Sequence, residues 1–134
     1  MKLLLDTHIL LWALSNDKQL SETARELIEA PENSVFFSVI SLWEVEIKHI
    51  AHKDKLPLDA EELRAYCDEA GFSYCGIKDE HIYHLKKLKQ KKNSPEHKDP
   101  FDRILLCQAA VDSMTLLTHD KRLRTYTEKN VLYV

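Results

Sequence analysis

Five acidic residues stand where carboxylates can do chemistry. Asp6 directly follows the apolar run Leu3-Leu4-Leu5, Glu44 follows the segment Ser38 to Trp43, Asp99 and Asp102 flank Pro100-Phe101, and Asp120 follows Leu116 to His119. Gathered at one place, such groups repel one another and push up each other's pKa unless protons or cations neutralise them. A hard divalent cation, Mg²⁺ or Mn²⁺, solves that problem. It takes oxygen ligands, keeps several waters and is held by one or two carboxylates together with substrate phosphates. A site of this kind activates water and stabilises the leaving oxygen in phosphodiester cleavage. Most of the acids also have a structural reading. Asp99 before Pro100 is placed to cap a helix, Ser41 and Glu44 are spaced as a capping box, Asp102 gains from the dipole of a first helical turn, and Asp120 can cap Lys121 to Thr125. Asp6 resists such an account: an acid between two apolar stretches is expected to be partly buried and to need a partner.

The elements that must position these acids follow from patterning. Strands are expected at Lys2 to Asp6, Val35 to Ser38, Phe72 to Ile77, Thr115 to Thr118 and Val131 to Val134. Between them lie helices: Thr7 to Leu14; a segment capped by Ser21 and running to about Ala30; Ser41 to about His52; a segment opened by the Asp59/Glu62 capping box and ended by Gly71; a helix capped by Asp79 that runs into the basic stretch Lys86 to Lys92; and Phe101 to about Ser113. Strands alternating with helices predict an α/β fold with a doubly wound parallel sheet, in which ligands bind beyond the carboxyl ends of the strands. All five acids then fall at one edge.

Those residues resemble a known family. Leu4-Leu5-Asp6-Thr7-His8, Ser38 to Glu44, His97-Lys98-Asp99-Pro100-Phe101-Asp102-Arg103 with Ile104 to Ala109, and Leu117-Thr118-His119-Asp120 look like the four acidic signatures of PIN-domain nucleases. The match is nearest to the VapC-like toxins of bacterial toxin-antitoxin modules. The resemblance implies a single domain over residues 1–134, a three-layer fold with a central parallel sheet of four to five strands flanked by helices, and a Mg²⁺- or Mn²⁺-dependent endoribonuclease. It further implies a homodimer held inactive by a cognate antitoxin that occupies the active-site groove. Carried over by motif, Asp6, Glu44, Asp102 and Asp120 match the acidic quartet. Asp6 and Asp102 would bind metal, Glu44 would do so directly or through water, and Asp99 is an additional acid that is either ligand or cap. Thr7 would orient the first acid, and Arg103 would hold a carboxylate or contact a phosphate.

Composition limits the alternatives. The 134 residues suit one core, and 44% hydrophobic with 31% charged residues suit a soluble globular chain without a membrane span, expected in the cytoplasm. With 19 Lys and Arg against 22 Asp and Glu, a net charge of −3 excludes passive coating of nucleic acid. An RNA substrate would rely on cations and on local basic residues, with Lys91, Lys92, Lys98 and Arg122 as candidates. Two glycines rule against a glycine-rich phosphate cradle. Cys67, Cys75 and Cys107 read as reduced, mostly buried thiols. The pairs His49/His52 and His81/His84 read as surface or half-buried, and Trp12 and Trp43 read as core residues rather than stacking platforms. His8, His97 and His119 each flank a motif acid. Two other readings remain open at this stage: a catalytically silent binding module, and a DNA nuclease or phosphatase using the same carboxylates.

Overall fold

Leu3-Leu4-Leu5 is apolar on both faces of a strand, and the chain buries all three at the middle of a five-stranded sheet. The computed structural model describes residues 1–134. Strand β1 (Lys2–Leu5) lies between β2 (Ser34–Ser38) and β4 (Thr115–Thr118), with β3 (Ser73–Cys75) and β5 (Val131–Tyr133) at the edges, giving the order β3-β2-β1-β4-β5. Every pairing is parallel; Leu3 lies opposite both Val35 and Thr115, and Thr118 opposite Tyr133. The chain builds outward from β1 first one way and then the other. The order therefore reverses between β1 and β4, where a crevice opens at the carboxyl ends of such sheets.

Helices cover both faces. On one side Leu3 and Leu5 pack with Ile9 and Leu10 of α1 (Thr7–Ser15), Ala24 of α2 (Glu22–Glu29), Val45 of α3 (Val39–Ala51) and Leu63 of α4 (Ala60–Glu69). On the other, Leu4 and Leu116 meet Leu105, Leu106 and Cys107 of α6 (Pro100–Val111). The short helix α5 (Asp79–His84) packs beside α6. No helix is long and apolar enough to cross a membrane.

The expected caps hold at Ser21, at the Asp59/Glu62 box and at Asp99, and Gly71, with φ of +79°, ends α4 in the left-handed region. Other expectations need correction. Helix α3 is capped by Ser38, whose Oγ accepts from the Ile40 amide at 3.0 Å, because the strand runs straight into the helix. Ser41 and Glu44 thus lie inside the helix and form no capping box. Lys78 occupies the position before α5, so Asp79 is its first residue rather than its cap. That helix does not continue through the lysines. It ends at His84 and passes through a 3-10 turn (Leu85–Lys87), after which the backbone pairs with the segment beyond β4: Thr127 N–H donates to the Lys89 carbonyl at 2.8 Å, and Gln90 bridges Tyr126. Strand β3 is shorter than the apolar run from Phe72, because pairing reaches only from Phe36 to Ser38 of its neighbour.

Burial also revises some residues. Trp43 is 57% exposed and meets Phe101 edge-on, while Trp12 is only half-buried. His81 is fully buried; its Nδ1 accepts from the Lys78 amide, which places the proton on Nε2, 3.0 Å from an Asp112 oxygen. The three cysteines are free and buried, with burial pushing their thiols up to about 12 for Cys67 and about 11 for Cys75 and Cys107, so they behave as apolar residues.

Leu4 is enclosed on its face of the sheet, so Leu4→Ala should lower unfolding free energy by about 2–5 kcal/mol. In urea titrations the midpoint should fall with an unchanged slope.

Candidate active site

The carboxyl ends of β1 and β4 lie side by side, and their junctions with the following segments deliver the first acids. Asp6 caps α1, with Oδ1 accepting from the Ile9 amide at 2.9 Å, while its Oδ2 accepts from the Thr118 hydroxyl at the end of β4. The carboxylate is only 4% exposed, and burial raises its pKa against the opposing pull of those two hydrogen bonds. Thr118 in turn accepts from the Asp120 amide at 3.0 Å, so one hydroxyl ties the two acids together. Asp120 is held by a two-pronged contact with Arg122, the shorter arm at 2.7 Å, and that guanidinium lowers its pKa.

Glu44 enters from the second turn of α3. Its Oε1 accepts from the Thr7 hydroxyl at 2.7 Å and its Oε2 from Lys48 at 2.8 Å, one turn along the same helix. Thr7 also meets the Ser41 hydroxyl at 2.9 Å. Thr7 therefore orients Glu44, not Asp6 as its place in the motif implied: as the first residue of α1, its side chain reaches across to α3.

Asp99 and Asp102 come from the start of α6. Asp99 acts as a cap, with Oδ1 accepting from the Phe101 and Asp102 amides at 2.9 and 3.3 Å. The Asp102 Oδ2 lies 3.2 Å from Nε2 of His97, a nearly buried ring whose Nδ1 lies 2.9 Å from the Tyr126 hydroxyl. Burial, reinforced by Arg122, holds His97 below its usual pKa. Arg103 differs from expectation: it donates to the Tyr126 hydroxyl at 3.2 Å, supporting the ring system behind Asp102 instead of a carboxylate.

Asp102 carries the strain of this arrangement. Burial, then the charges of Asp99, Asp120, Asp6 and Glu44, pushes its carboxyl up to about 7. The other four acids thus all act on Asp102, and Asp120 acts on Asp6 as well. Asp102 Oδ1 and Asp99 Oδ2 accept no hydrogen bond from the protein, whereas the other acids have both oxygens engaged. An engaged carboxylate oxygen still has spare lone pairs. The set is all oxygen and short of positive charge, which suits a hard cation; no three His, Cys, Asp or Glu side chains converge closely enough to enclose one by themselves. Mg²⁺ fits such an open set, because it keeps waters and shares its ligands with substrate phosphates.

Among the candidate basic residues, Arg122 is taken up by Asp120, and Lys98 is exposed with its ammonium 3.7 Å from Glu96. Lys91 and Lys92 are exposed on the segment leading to His97. Sequence reasoning missed Thr118, Lys48 and Tyr126. Lys48, four residues after Glu44 on one helix face, carried a readable signal; the pairing of residue 118 with residue 6 carried none.

A sequence model of the PIN domain family matches residues 3–129. No curated protein matches the chain. Among solved structures, the chain resembles VapBC2 from Rickettsia felis bound to a DNA fragment from its promoter, at 17% identity and a TM-score of 0.69, covering 100% of this chain and 98% of that one. It resembles VapBC-1 from nontypeable Haemophilus influenzae at 18% identity and a TM-score of 0.68, with 99% and 98% covered. A toxin-antitoxin complex from Klebsiella pneumoniae is similar at 22% identity and a TM-score of 0.58, with 96% and 94% covered. At these identities the shared property is the fold.

The raised pKa of Asp102 has a consequence for stability. Between its unfolded value near 3.9 and its folded value of about 7, the folded state holds a proton that the unfolded state has lost, so this group makes stability fall as pH rises through that window. Asp102→Asn removes the charge and keeps the shape. In EDTA at pH 8 the variant should melt at a higher temperature than the parent, and the difference should vanish near pH 4. Equal melting temperatures at pH 8 would show that burial and the neighbouring acids do not penalise the ionised Asp102 carboxylate as described.

Proposed function

The chain belongs to the PIN domain family, and from that premise we propose that it is a metal-dependent endoribonuclease that serves as the toxin of a toxin-antitoxin pair, VapC-like in kind. The observation that supports this most strongly is Asp102: half-buried, repelled by four neighbouring acids, and with its Oδ1 free of any hydrogen bond from the protein. A protein gains nothing in stability from such a group. The cost is explained by a cation and a phosphate that arrive together.

Asp6 and Asp102 would hold the ion, with Asp99 Oδ2 as a further donor and Glu44 and Asp120 acting directly or through water. When bound, Mg²⁺ or Mn²⁺ supplies positive charge to the phosphodiester oxygens and lowers the pKa of a coordinated water. The chain's own residues prepare the place. The Ile9 amide and the Thr118 hydroxyl fix Asp6, Thr7 and Lys48 fix Glu44, and His97 backed by Tyr126 and Arg103 fixes Asp102. Such pre-set geometry is what electrostatic catalysis requires, because no reorganisation is then needed during reaction. Lys91, Lys92 and Lys98 offer a basic approach for the RNA backbone, weakened by salt as any phosphate contact is.

The toxin assignment draws on the family and on the folds it resembles, which come from toxin-antitoxin complexes. A partner antitoxin would cover the acidic crevice, and a second copy of the chain would complete a homodimer.

Purified chain freed of any partner should cleave single-stranded RNA with Mg²⁺ and stop in EDTA. Asp6→Ala and Asp102→Asn should each lower kcat/KM at least about 100-fold, the scale on which one electrostatic stabiliser acts. Parallel assays on DNA and on small phosphate esters separate the competing activities. RNA cleavage by Asp102→Asn at the parent rate in saturating Mg²⁺ would overturn the assignment.

A further inference from the structure

Next to the carboxylates, beyond the ends of β1, β4 and β5, opens a cavity of about 440 Å³. Asp6 and Asp120 form one side of it, and four rings, His8, Trp12, His119 and Tyr133, form the rest, with Lys121 also lining it. His119 stacks on Tyr133 with ring centres 5.2 Å apart and planes only 15° from parallel. Trp12 stands edge-on to His119 at 5.7 Å, and His8 lies 5.8 Å from Trp12. The guanidinium of Arg124 covers the Tyr133 ring at 4.9 Å and steadies it.

Trp12 packs at the edge of the core, but the ring cluster as a whole is not enclosed in it. His8 and His119 are exposed, and Trp12 and Tyr133 are half-buried. The hydrogen bonding of His119 is equally specific. Its Nδ1 lies 2.6 Å from a main-chain oxygen of Val134, which accepts, so Nδ1 carries the proton. The ring is thereby held in place, and its Nε2 has no partner in the protein.

Clustered rings beside the carboxylates proposed above to take a phosphate through a cation match the chemistry of an unpaired nucleobase. Single-stranded RNA is recognised by stacking its splayed bases on aromatic and histidine rings and by reading their polar edges. Every base has a π-face, so such a platform tolerates sequence while a polar edge such as Nε2 adds preference. A nucleotide whose phosphate was held by a cation at Asp6 and Asp120 would have its base within reach of the rings, because those two acids line the same cavity. We propose that this cavity is a nucleobase subsite, holding one unpaired base next to the scissile phosphate against the Trp12 and His119 rings, with Tyr133, stacked on His119 and covered by Arg124, as their support. The identity of the substrate rests on the nuclease reading above; the subsite itself is tested separately.

The chain has two tryptophans. In Trp43→Phe, Trp12 is the only one left, and its emission reports on the cavity. With Ca²⁺ present to neutralise the carboxylates, this protein is titrated with octanucleotides of A, C, G or U, and with an abasic ribose-phosphate octamer. At least one base-bearing oligomer should quench Trp12 and bind about 5- to 150-fold more tightly than the abasic one, the range for one stacked base. Tyr133→Leu and His119→Leu, each retaining a folded circular-dichroism spectrum, should shrink that ratio and leave abasic affinity unchanged. Equal quenching and affinity for base-bearing and abasic oligomers would overturn the subsite, even in a protein that cleaves RNA. Base-dependent quenching in a protein that cleaves no RNA would uphold the subsite and sink the nuclease reading instead.

Discussion

The burial of carboxylates beside one another is the constraint that this molecule's site has to meet. A parallel sheet brings the carboxyl ends of its strands to one edge, and in this chain Asp6 and Asp120 follow two adjacent strands there. Helices α3 and α6 add Glu44, Asp99 and Asp102. The burial that makes the sheet stable also removes the water that would otherwise screen these charges, so the fold and the site pull against each other. Asp102, with its carboxyl pushed up to about 7, is where the conflict is sharpest.

The protein relieves that conflict unevenly. Lys48 answers Glu44, Arg122 answers Asp120, and Thr118 with the Ile9 amide answers Asp6. Asp102 has only a histidine that burial keeps from charging readily. The partial compensation leaves a crevice that favours a cation without being closed around one. It also explains how a chain of net charge −3 can be read as acting on a polyanion: the local sign is set by what the acids bind, not by the sum over the surface.

Much of this was legible in the sequence where the signal is local. The alternation of strands and helices, the leucine run of β1, the caps at Ser21, Asp59 and Asp99, and the strand-end positions of Asp6 and Asp120 are written in neighbouring residues. The errors are of a different kind. Ser41 and Glu44 have the spacing of a capping box, yet the helix starts earlier, because Ser38 could cap it directly from the strand. The lysine-rich segment leaves the helix because its backbone finds a partner near Tyr126, more than 30 residues away. Thr7 orients Glu44, and Thr118 joins Asp6 to Asp120, through contacts that depend on which strands and helices become neighbours. Trp12 packs against the core as its place in an apolar helix suggests, but that its other side lines a cavity with His119 and Tyr133 depends on long-range neighbours in the same way.

The central claim is that this acidic crevice is a cation site built on Asp6 and Asp102. The most direct measurement is the anomalous scattering of Mn²⁺ in crystals of the chain. The account requires a peak in contact with Asp102 Oδ1, at the roughly 2.0–2.2 Å typical of hard-cation ligation, with Asp6 reached directly or through one water. Mn²⁺ absent from the crevice at saturating concentration, or bound only at other carboxylates of the surface, would contradict it.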